Sequence, residues 1–305
     1  MGRIEETYKA RDVEEIVDIY LYRPWGYALA VLAHRLKMTP NQVTLIGMAV
    51  GVVAGHFFLY SDLRLNLIGI ALWMLGQALD GADGQLARMA NMQSRLGRML
   101  DGISDNAKFT SLYVHLGLRL VFEGGTPWYF LIAVVAGVTH SYQSTLADFY
   151  RNAYLFFVVN PRKAELDKTE ALRQEYQTLS WSKNFFEKLL MRAYITYTER
   201  QERWCAFSIE LQRKARARFG SDIPDEIRAL YRRLNKPLLK YYNALTTNTR
   251  MIVLYASVFL GNIYLFFAFE IFVLNTLLVL LVYRWQPRAD RAVFEALQER
   301  VPAEA

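Results

Sequence analysis

Residues 78–106 read ALDGADGQLARMANMQSRLGRMLDGISDN, and they set four aspartates among otherwise apolar helical sequence. Asp80 and Asp83 are one helical turn apart, as are Asp101 and Asp105, so each pair projects from one helix face. The run before them, NLIGIALWMLGQ from Asn66, and the run after them, FTSLYVHLGLRLVF from Phe109, are both apolar. The pattern predicts two helices joined by a short polar turn. At 1.5 Å per residue in a hydrocarbon layer of about 30 Å, Asp80 lies ~21 Å from Asn66, leaving ~9 Å to the far edge. Asp101 and Asp105 lie ~6 and ~12 Å inward from Gly97, so the two pairs meet at one depth. Carboxylates so placed cost a few kcal/mol each and must be paired or serve a site. The basic residues of the stretch, Arg88, Arg95 and Arg98, fall at helix ends, and no lysine is expected to neutralise the aspartates. A hard divalent cation on carboxylate oxygens, Mg²⁺ or Mn²⁺, answers the charge. Gly81, Gly84, Gly97 and Gly102 surround the aspartates where a backbone or ligand must come close, at a cost in helix stability.

Working outward, six stretches are long and apolar enough to be membrane spans: 42–60, 66–88, 97–122, 128–158, 251–267 and 272–283. Very short connections at SDLR, at EGGT and around Glu270 make three helical hairpins. Basic residues collect after Arg88, through the segment from Asn160 to Arg250, and at Arg284, Arg288 and Arg291. The positive-inside rule places these parts and both termini in the cytoplasm. The fold class expected is all-α: an integral membrane protein with six transmembrane helices. An N-terminal part, 1–38, ends in an amphipathic interfacial helix from Tyr22 to Lys37 that stops at the turn Thr39-Pro40-Asn41. Helices one to four fill 39–158, a basic helical cytoplasmic insertion 159–249, helices five and six 250–284, and a tail 285–305. The stretch from Asn160 to Arg250 holds 19 basic and 11 acidic residues against 17 and 18 elsewhere, so the net charge of +7 reports topology and not a generally basic protein. Trp181, Phe185, Leu189, Tyr197, Trp204, Phe207 and Leu211 form an apolar stripe there, expected to pack on the bundle, and the basic run from Arg213 to Arg218 is expected to meet anionic headgroups.

With 53% hydrophobic residues the chain is not a disordered one, and a lone cysteine, Cys205, excludes a disulfide framework and a thiolate zinc site. The charged start lacks the basic-then-apolar order of a signal peptide, and Glu6 stands where myristoylation requires Ser or Thr. No pattern suggests nucleic acid. His56 and His115 fit packing roles near the outer halves of their spans. His140, Ser141, Tyr142, Gln143, Asp148, Tyr150, Arg151 and Asn152 make the inner half of the fourth span polar. Asp148 and Arg151 are spaced to neutralise each other, or Tyr142, Asp148 and Arg151 face an acceptor headgroup.

The order Asp80-x2-Asp83-Gly84-x2-Ala87-Arg88-x8-Gly97-x3-Asp101-x3-Asp105 resembles, position for position, the signature of the CDP-alcohol phosphotransferase (phosphatidyltransferase) family, class I. The layout of spans and the entry MTPNQVT, Met38 to Thr44, are similar to that family over residues 22–158, while the basic insertion departs from its compact members. The resemblance implies a phospholipid-synthesis transferase in which an acceptor hydroxyl attacks a CDP-linked donor and CMP leaves. It implies two divalent ions on Asp80, Asp83, Asp101 and Asp105, with Asp105 also taking the proton of the attacking hydroxyl. Nucleotide contacts would fall to Asn41, Gln42, Val43, Thr44, Gly84, Ala87, Arg88, Ser94 and Gly97. The simplest expectation is CDP-diacylglycerol with a polar alcohol, in a bacterial cytoplasmic membrane with the site facing the cytoplasm and a homodimer as the assembly. The reverse arrangement, CDP-choline or CDP-ethanolamine with a lipid hydroxyl, uses the same motif. A prenyltransferase usually carries two separated aspartate motifs, and a cation transporter needs polar residues across the outer half, where spans two and three are apolar.

Overall fold

Two side chains decide where the aspartate-bearing helices begin. Asp62 accepts hydrogen bonds from the backbone N–H groups of Arg64 and Leu65 at 2.7 and 3.2 Å, and Ser94 accepts one from Gly97 at 3.0 Å. Both satisfy donors that a helix start leaves unpaired. They open α3, Leu63–Met89, and α4, Arg95–Gly124. Between them Asn91 takes a left-handed backbone, φ 52°, which Asn tolerates better than most residues and which turns the chain back. The computed structural model describes residues 12–161 and 167–299. Glu6 and most of the charged N-terminal pattern, the start of the insertion at 162–166, and the last six residues lie outside the described residues.

The remaining elements are α1, Arg23–Arg35; α2, Pro40–Phe57; α5, Phe130–Tyr154; α6, Thr169–Thr178; α7, Phe185–Trp204; α8, Ala206–Phe219; α9, Asp225–Ala244; α10, Thr247–Phe259; and α11, Tyr264–Gln298. No strand occurs among the described residues. A reciprocal cap between Thr39 and Gln42, with Pro40 at the first helical position, starts α2. Gly47, Gly51 and Gly55 form one ridge of α2 that lets α3 and α4 approach closely; a Cβ on Gly55 would sit 2.9 Å from the Leu112 backbone nitrogen. Phe58, Trp73, Leu112, Leu116, Leu254 and Phe266 form the core between these helices. Two helices, Leu63–Met89 and Tyr264–Gln298, are long and apolar enough to cross a membrane by length and composition. Large apolar side chains such as Leu45, Ile46, Leu67, Ile68, Val135, Val138, Phe272 and Val273 point outward, a distribution expected of a surface that faces lipid.

The structure corrects the expected end of the bundle. The last hairpin does not turn around Glu270. It turns at Leu260–Ile263, where Gly261 has φ +64°, inside the stretch expected to be the fifth span. Glu270 lies within α11 and is fully buried against Arg250 of α10, at 3.1 Å. Arg250 also donates to Gln143 Oε1 at 3.1 Å and to the backbone carbonyls of Thr246 and Leu245, and Tyr113 Oη lies 3.4 Å from it. A carboxylate that looked like a loop residue thus joins α4, α5, α10 and α11.

The insertion also differs from expectation in register. Of the proposed stripe, Trp181, Phe185, Leu189, Trp204 and Phe207 are exposed, while Leu211 is buried. The inward face of α7 is instead Lys188, Met191, Ile195, Thr198 and Gln201. Met191 and Ile195 pack on Met99 of α4, and Gln201 reaches the Thr145 carbonyl of α5. The packing face therefore mixes apolar and hydrogen-bonding side chains, which an apolar-only pattern misses. The basic run contacts protein while staying exposed: Arg213 to Glu210, Lys214 over the Phe294 ring, Arg216 over Phe156 and Arg218 to the Leu297 carbonyl.

Removing one partner of a fully buried ion pair costs about 3–5 kcal/mol, because the other charge is left without compensation. Arg250→Leu and Glu270→Gln are each expected to lower the melting temperature in detergent strongly, and the double variant by less than the sum, as a double-mutant cycle measures. Beyond the apolar run of α11, burial pushes Asp290 up from 3.8 to about 6, against the hydrogen bonds from Ser208 and Gln286. The folded chain therefore holds this proton more tightly than the unfolded one. That contribution is full below pH 3.8 and is lost as pH rises to about 6. Asp290→Asn is expected to gain stability over the parent across that window and then plateau, by about 3 kcal/mol, as chemical denaturation at stepped pH measures.

Candidate active site

Asp80 and Asp83 on α3 and Asp101 and Asp105 on α4 come together as the spacing predicts, and the structure adds a cation. Lys108 is one turn beyond Asp105 and 1% exposed, and its Nζ lies 2.7 Å from both Asp80 Oδ1 and Asp105 Oδ1. The expectation that no lysine neutralises the aspartates is therefore wrong. Sequence position carried the signal, since Lys108 is at i+3 from Asp105 on the same face. Its aliphatic stem lies over Gly51, where a Cβ would fall 2.5 Å from Lys108 Cγ and Cδ. Any larger residue at 51 would displace it. Gly51 was likewise missed, although the Gly47-Gly51-Gly55 ridge marks a face of close approach.

The four carboxylates sit in graded surroundings. Asp83 is 6% exposed and accepts a short hydrogen bond from the Thr44 hydroxyl of α2. The side chain of Asp80 is 27% exposed and that of Asp105 is 47% exposed, so Asp105 is the carboxylate most open to a second reactant. Asp101 Oδ1 is buried with no hydrogen-bond partner. As arranged around Lys108, no three carboxylates or imidazoles of the described residues converge on one point. The donor set still fits a hard divalent cation: every ligand is an oxygen, and the orphaned Asp101 oxygen lacks a positive partner. Asp80 and Asp105 would be among the residues to hold such a cation, which would supply the compensating charge that Lys108 gives.

The residues expected around a nucleotide divide. Asn41, Ser94 and Gly97 meet: a Cβ on Gly97 would lie 3.2 Å from Ser94 Oγ and 3.4 Å from Asn41 Oδ1, so glycine lets the two side chains come close to the helix. Gly84 lies beneath the Arg88 guanidinium, at 3.4 Å from where its Cβ would be, and Ala87 occupies the intervening turn of α3. Thr44 holds Asp83. Gln42 spends its side chain on the Thr39 N–H at 2.8 Å, and Val43 is buried beside Ala82 and Leu86. Those two build α2 and its packing, with Gln42 exposed and Val43 buried.

The polar face of α5 is covered by other parts of the chain. Asp148 accepts from Tyr197 of α7 at 2.7 Å, and Arg151 donates to the Val13 carbonyl at 3.2 Å. Tyr142 packs edge-on against Trp204, with the Arg200 guanidinium 4.7 Å from its ring centre. Asp148 and Arg151 do not pair with each other among the described residues. His140 bonds with Tyr113 Oη at 3.0 Å, and the rings of His56 and His115 meet at 4.9 Å. These residues fasten the insertion, the N-terminal segment and the helices to one another.

Comparison with known proteins bears on the motif directly. Residues 37–174 match the CDP-alcohol phosphatidyltransferase family. The matched stretch, under half of the chain, is similar to that family's domain. It takes in α2 to α5, and thus all four aspartates, Lys108, Asn41 and Gly97. A bifunctional IPC transferase and DIPP synthase of Thermococcus kodakarensis is 36% identical over 122 residues, which are 39% of this chain and 27% of that protein. A Mycobacterium tuberculosis protein provisionally named cardiolipin synthase is 28% identical over 102 residues, 33% of this chain and 46% of its own length. An archaetidylinositol phosphate synthase of Pyrococcus horikoshii is 36% identical over 84 residues, 27% and 43% of the two chains. The chain thus spans less than half the length of each of these relatives. The domain's family comprises membrane-associated transferases that use CDP-linked donors and alcohol acceptors in lipid synthesis and are generally dependent on divalent metal.

Lys108→Met leaves Asp80 and Asp105 without their counter-ion. With chelator present, the variant is expected to be less stable than the parent by about 1–3 kcal/mol, the lower end because Asp105 is half exposed to solvent. Added Mg²⁺ should raise its melting temperature more than the parent's, which thermal scans with and without the ion measure.

Proposed function

We propose that this protein is an integral-membrane phospholipid-synthesis transferase that joins an acceptor hydroxyl to the phosphoryl group of a CDP-linked donor, with loss of CMP. The observation that carries this reading is the meeting of Asp80, Asp83, Asp101 and Asp105 on two adjacent helices that also carry Gly84, Arg88 and Gly97. We place α2, α3, α4, α5, α10 and α11 across the membrane, with the site and the insertion on the cytoplasmic side. The outward apolar side chains of these helices and the charge distribution of their connections support that placement.

In this reading the cytidine diphosphate lies along Asn41, Ser94, Gly97 and Gly84. Arg88 meets its phosphates, since a planar guanidinium gives a fork of donors suited to phosphate oxygens. Asp80, Asp83, Asp101 and Asp105 hold divalent cations, best Mg²⁺ or Mn²⁺, which when bound neutralise the diphosphate and the departing CMP. Asp105 is also the base that receives the proton of the attacking hydroxyl, a role its accessibility supports and one that requires it within ~3 Å of the acceptor. Thr44 keeps Asp83 oriented during the exchange. Holding the two reactants in line between α3 and α4 supplies the remainder of the rate.

CDP-diacylglycerol with a polar alcohol is the preferred pair. Relatives named for archaetidylinositol phosphate and cardiolipin synthesis, lipids with polar alcohol headgroups, support it. Tyr142 and Asp148 are already engaged with α7, and Arg151 with Val13, so none of the three is assigned to the acceptor.

Purified protein in lipid nanodiscs, given labelled CDP-diacylglycerol with Mg²⁺ and a panel of polar alcohols, is expected to release CMP. Release only from CDP-choline or CDP-ethanolamine with diacylglycerol would reverse the donor and acceptor assignments, and release from none would refute the proposal. Asp105→Asn is expected to insert and fold normally yet lose CMP release by at least ~100-fold, the usual worth of a general base.

A further inference from the structure

Helices α7 and α8 form a hairpin whose tip, Trp204-Cys205-Ala206-Phe207, points the opposite way from the rest of the insertion. The contacts along α7 run progressively outward along α5: Tyr197 to Asp148, Gln201 to the Thr145 carbonyl, Arg200 to Ser141, and Trp204 against the Tyr142 ring at 5.8 Å. Helix α8 runs back, with Ser208 bonding Asp290 and lying 3.5 Å from Tyr150 Oη, and Leu211 buried in the cluster of Phe156 and Phe157. Counted from Trp128 at the outer edge of α5, Tyr142 is ~21 Å in, leaving ~9 Å to the cytoplasmic edge, while Asp148 reaches that edge. By that count Trp204, against the Tyr142 ring, sits at the depth of the aspartates, while Phe207, whose ring meets Phe294 of α11 at 5.5 Å, lies nearer the headgroups.

The tip is apolar and open. Trp204 is 41% and Phe207 42% exposed, whereas Cys205 is buried. The outward stripe of α5, Leu131, Val135 and Val138, continues at the helical interval into Tyr142, and the Trp204 ring extends it. On the other side Trp204 and Phe207 share a cleft with Val282 and Pro287 of α11, next to the exposed Val279 and Tyr283. The tip thus fills in the surface between two helices that face lipid and makes it continuous. Arg203, exposed and next to Trp204, has the length to carry its charge to headgroups.

We infer that the α7–α8 tip is a wedge in the cytoplasmic leaflet, with Trp204 among lipid acyl chains and Phe207 and Arg203 at the headgroup boundary. The insertion is then clamped between bundle and bilayer instead of resting on the bundle alone. The inference goes beyond the reaction proposed above but rests on the membrane placement given there.

Tryptophan quenching in vesicles tests it. Protein is reconstituted in phosphatidylcholine and phosphatidylglycerol brominated near the headgroup end of the acyl chains, and separately exposed to aqueous iodide in unbrominated vesicles. Trp204→Phe is expected to lose a share of the bromolipid quenching seen in the parent, with iodide quenching unchanged. Adding Phe207→Trp to that variant is expected to restore the lost share, which keeps the test valid should the first substitution loosen the hairpin. Val138→Trp reports the membrane itself. If Val138→Trp is quenched by bromolipid while neither tip residue is, or if Trp204→Phe lowers iodide quenching instead, the wedge is refuted and the membrane placement stands. If Val138→Trp is not quenched, both fall.

Discussion

Lys108 Nζ, buried and held at 2.7 Å by both Asp80 and Asp105, is the interaction on which the arrangement of the site depends. Four carboxylates on two packed helices repel one another, and the buried Asp83 and the buried Oδ1 of Asp101 carry a desolvation cost as well. The ammonium supplies one positive charge where it counts most, between the two helices. It can do so because Gly51 on a third helix leaves room for its stem. The charge balance of the site and the glycine ridge of α2 are therefore one feature. Close packing of α2 is what allows the lysine to reach across, and the lysine is what allows α3 and α4 to bring their aspartates together without a metal ion.

The same logic recurs below and beside the site. Arg250 and Glu270 are both fully buried, and every remaining donor of the guanidinium is spent on Gln143, Tyr113 or a backbone carbonyl. A network this complete specifies which helices are neighbours, since a misplaced partner would leave a charge unsatisfied. Toward the end of α11, Asp290, Gln286, Asn235 and Tyr242 are joined by hydrogen bonds that tie α11 to α9. Apolar packing gives these helices a reason to associate, and the buried polar groups determine the register in which they do so.

Much of this was legible in sequence, for physical reasons that can be named. The aspartate helices were readable because carboxylates in apolar sequence are costly, and their spacing put each pair on one face. The boundaries of α3 and α4 follow from Asp62 and Ser94, whose cap chemistry is local. What stayed hidden depends on contacts distant in sequence. Glu270 looked like a loop residue because a lone carboxylate in an apolar run reads as a break, and its partner Arg250 lies 20 residues earlier. The turn at Gly261 was masked by apolar neighbours on both sides. The polar face of α5 looked like a ligand surface because nothing in α5 alone shows that Tyr197, Gln201 and the Val13 carbonyl cover it. Lys108 was the avoidable omission, since its place one turn beyond Asp105 was in plain view.

The central claim is that the aspartates form a divalent-cation site whose charge Lys108 balances when no cation is bound. Crystals of the protein soaked in Mn²⁺, with diffraction collected at the manganese absorption edge, address it directly. The account predicts anomalous peaks among Asp80, Asp83, Asp101 and Asp105, with the Lys108 ammonium drawn away from Asp80 relative to a metal-free crystal. Absence of any peak there, with Lys108 still bridging Asp80 and Asp105 at saturating Mn²⁺, would contradict it.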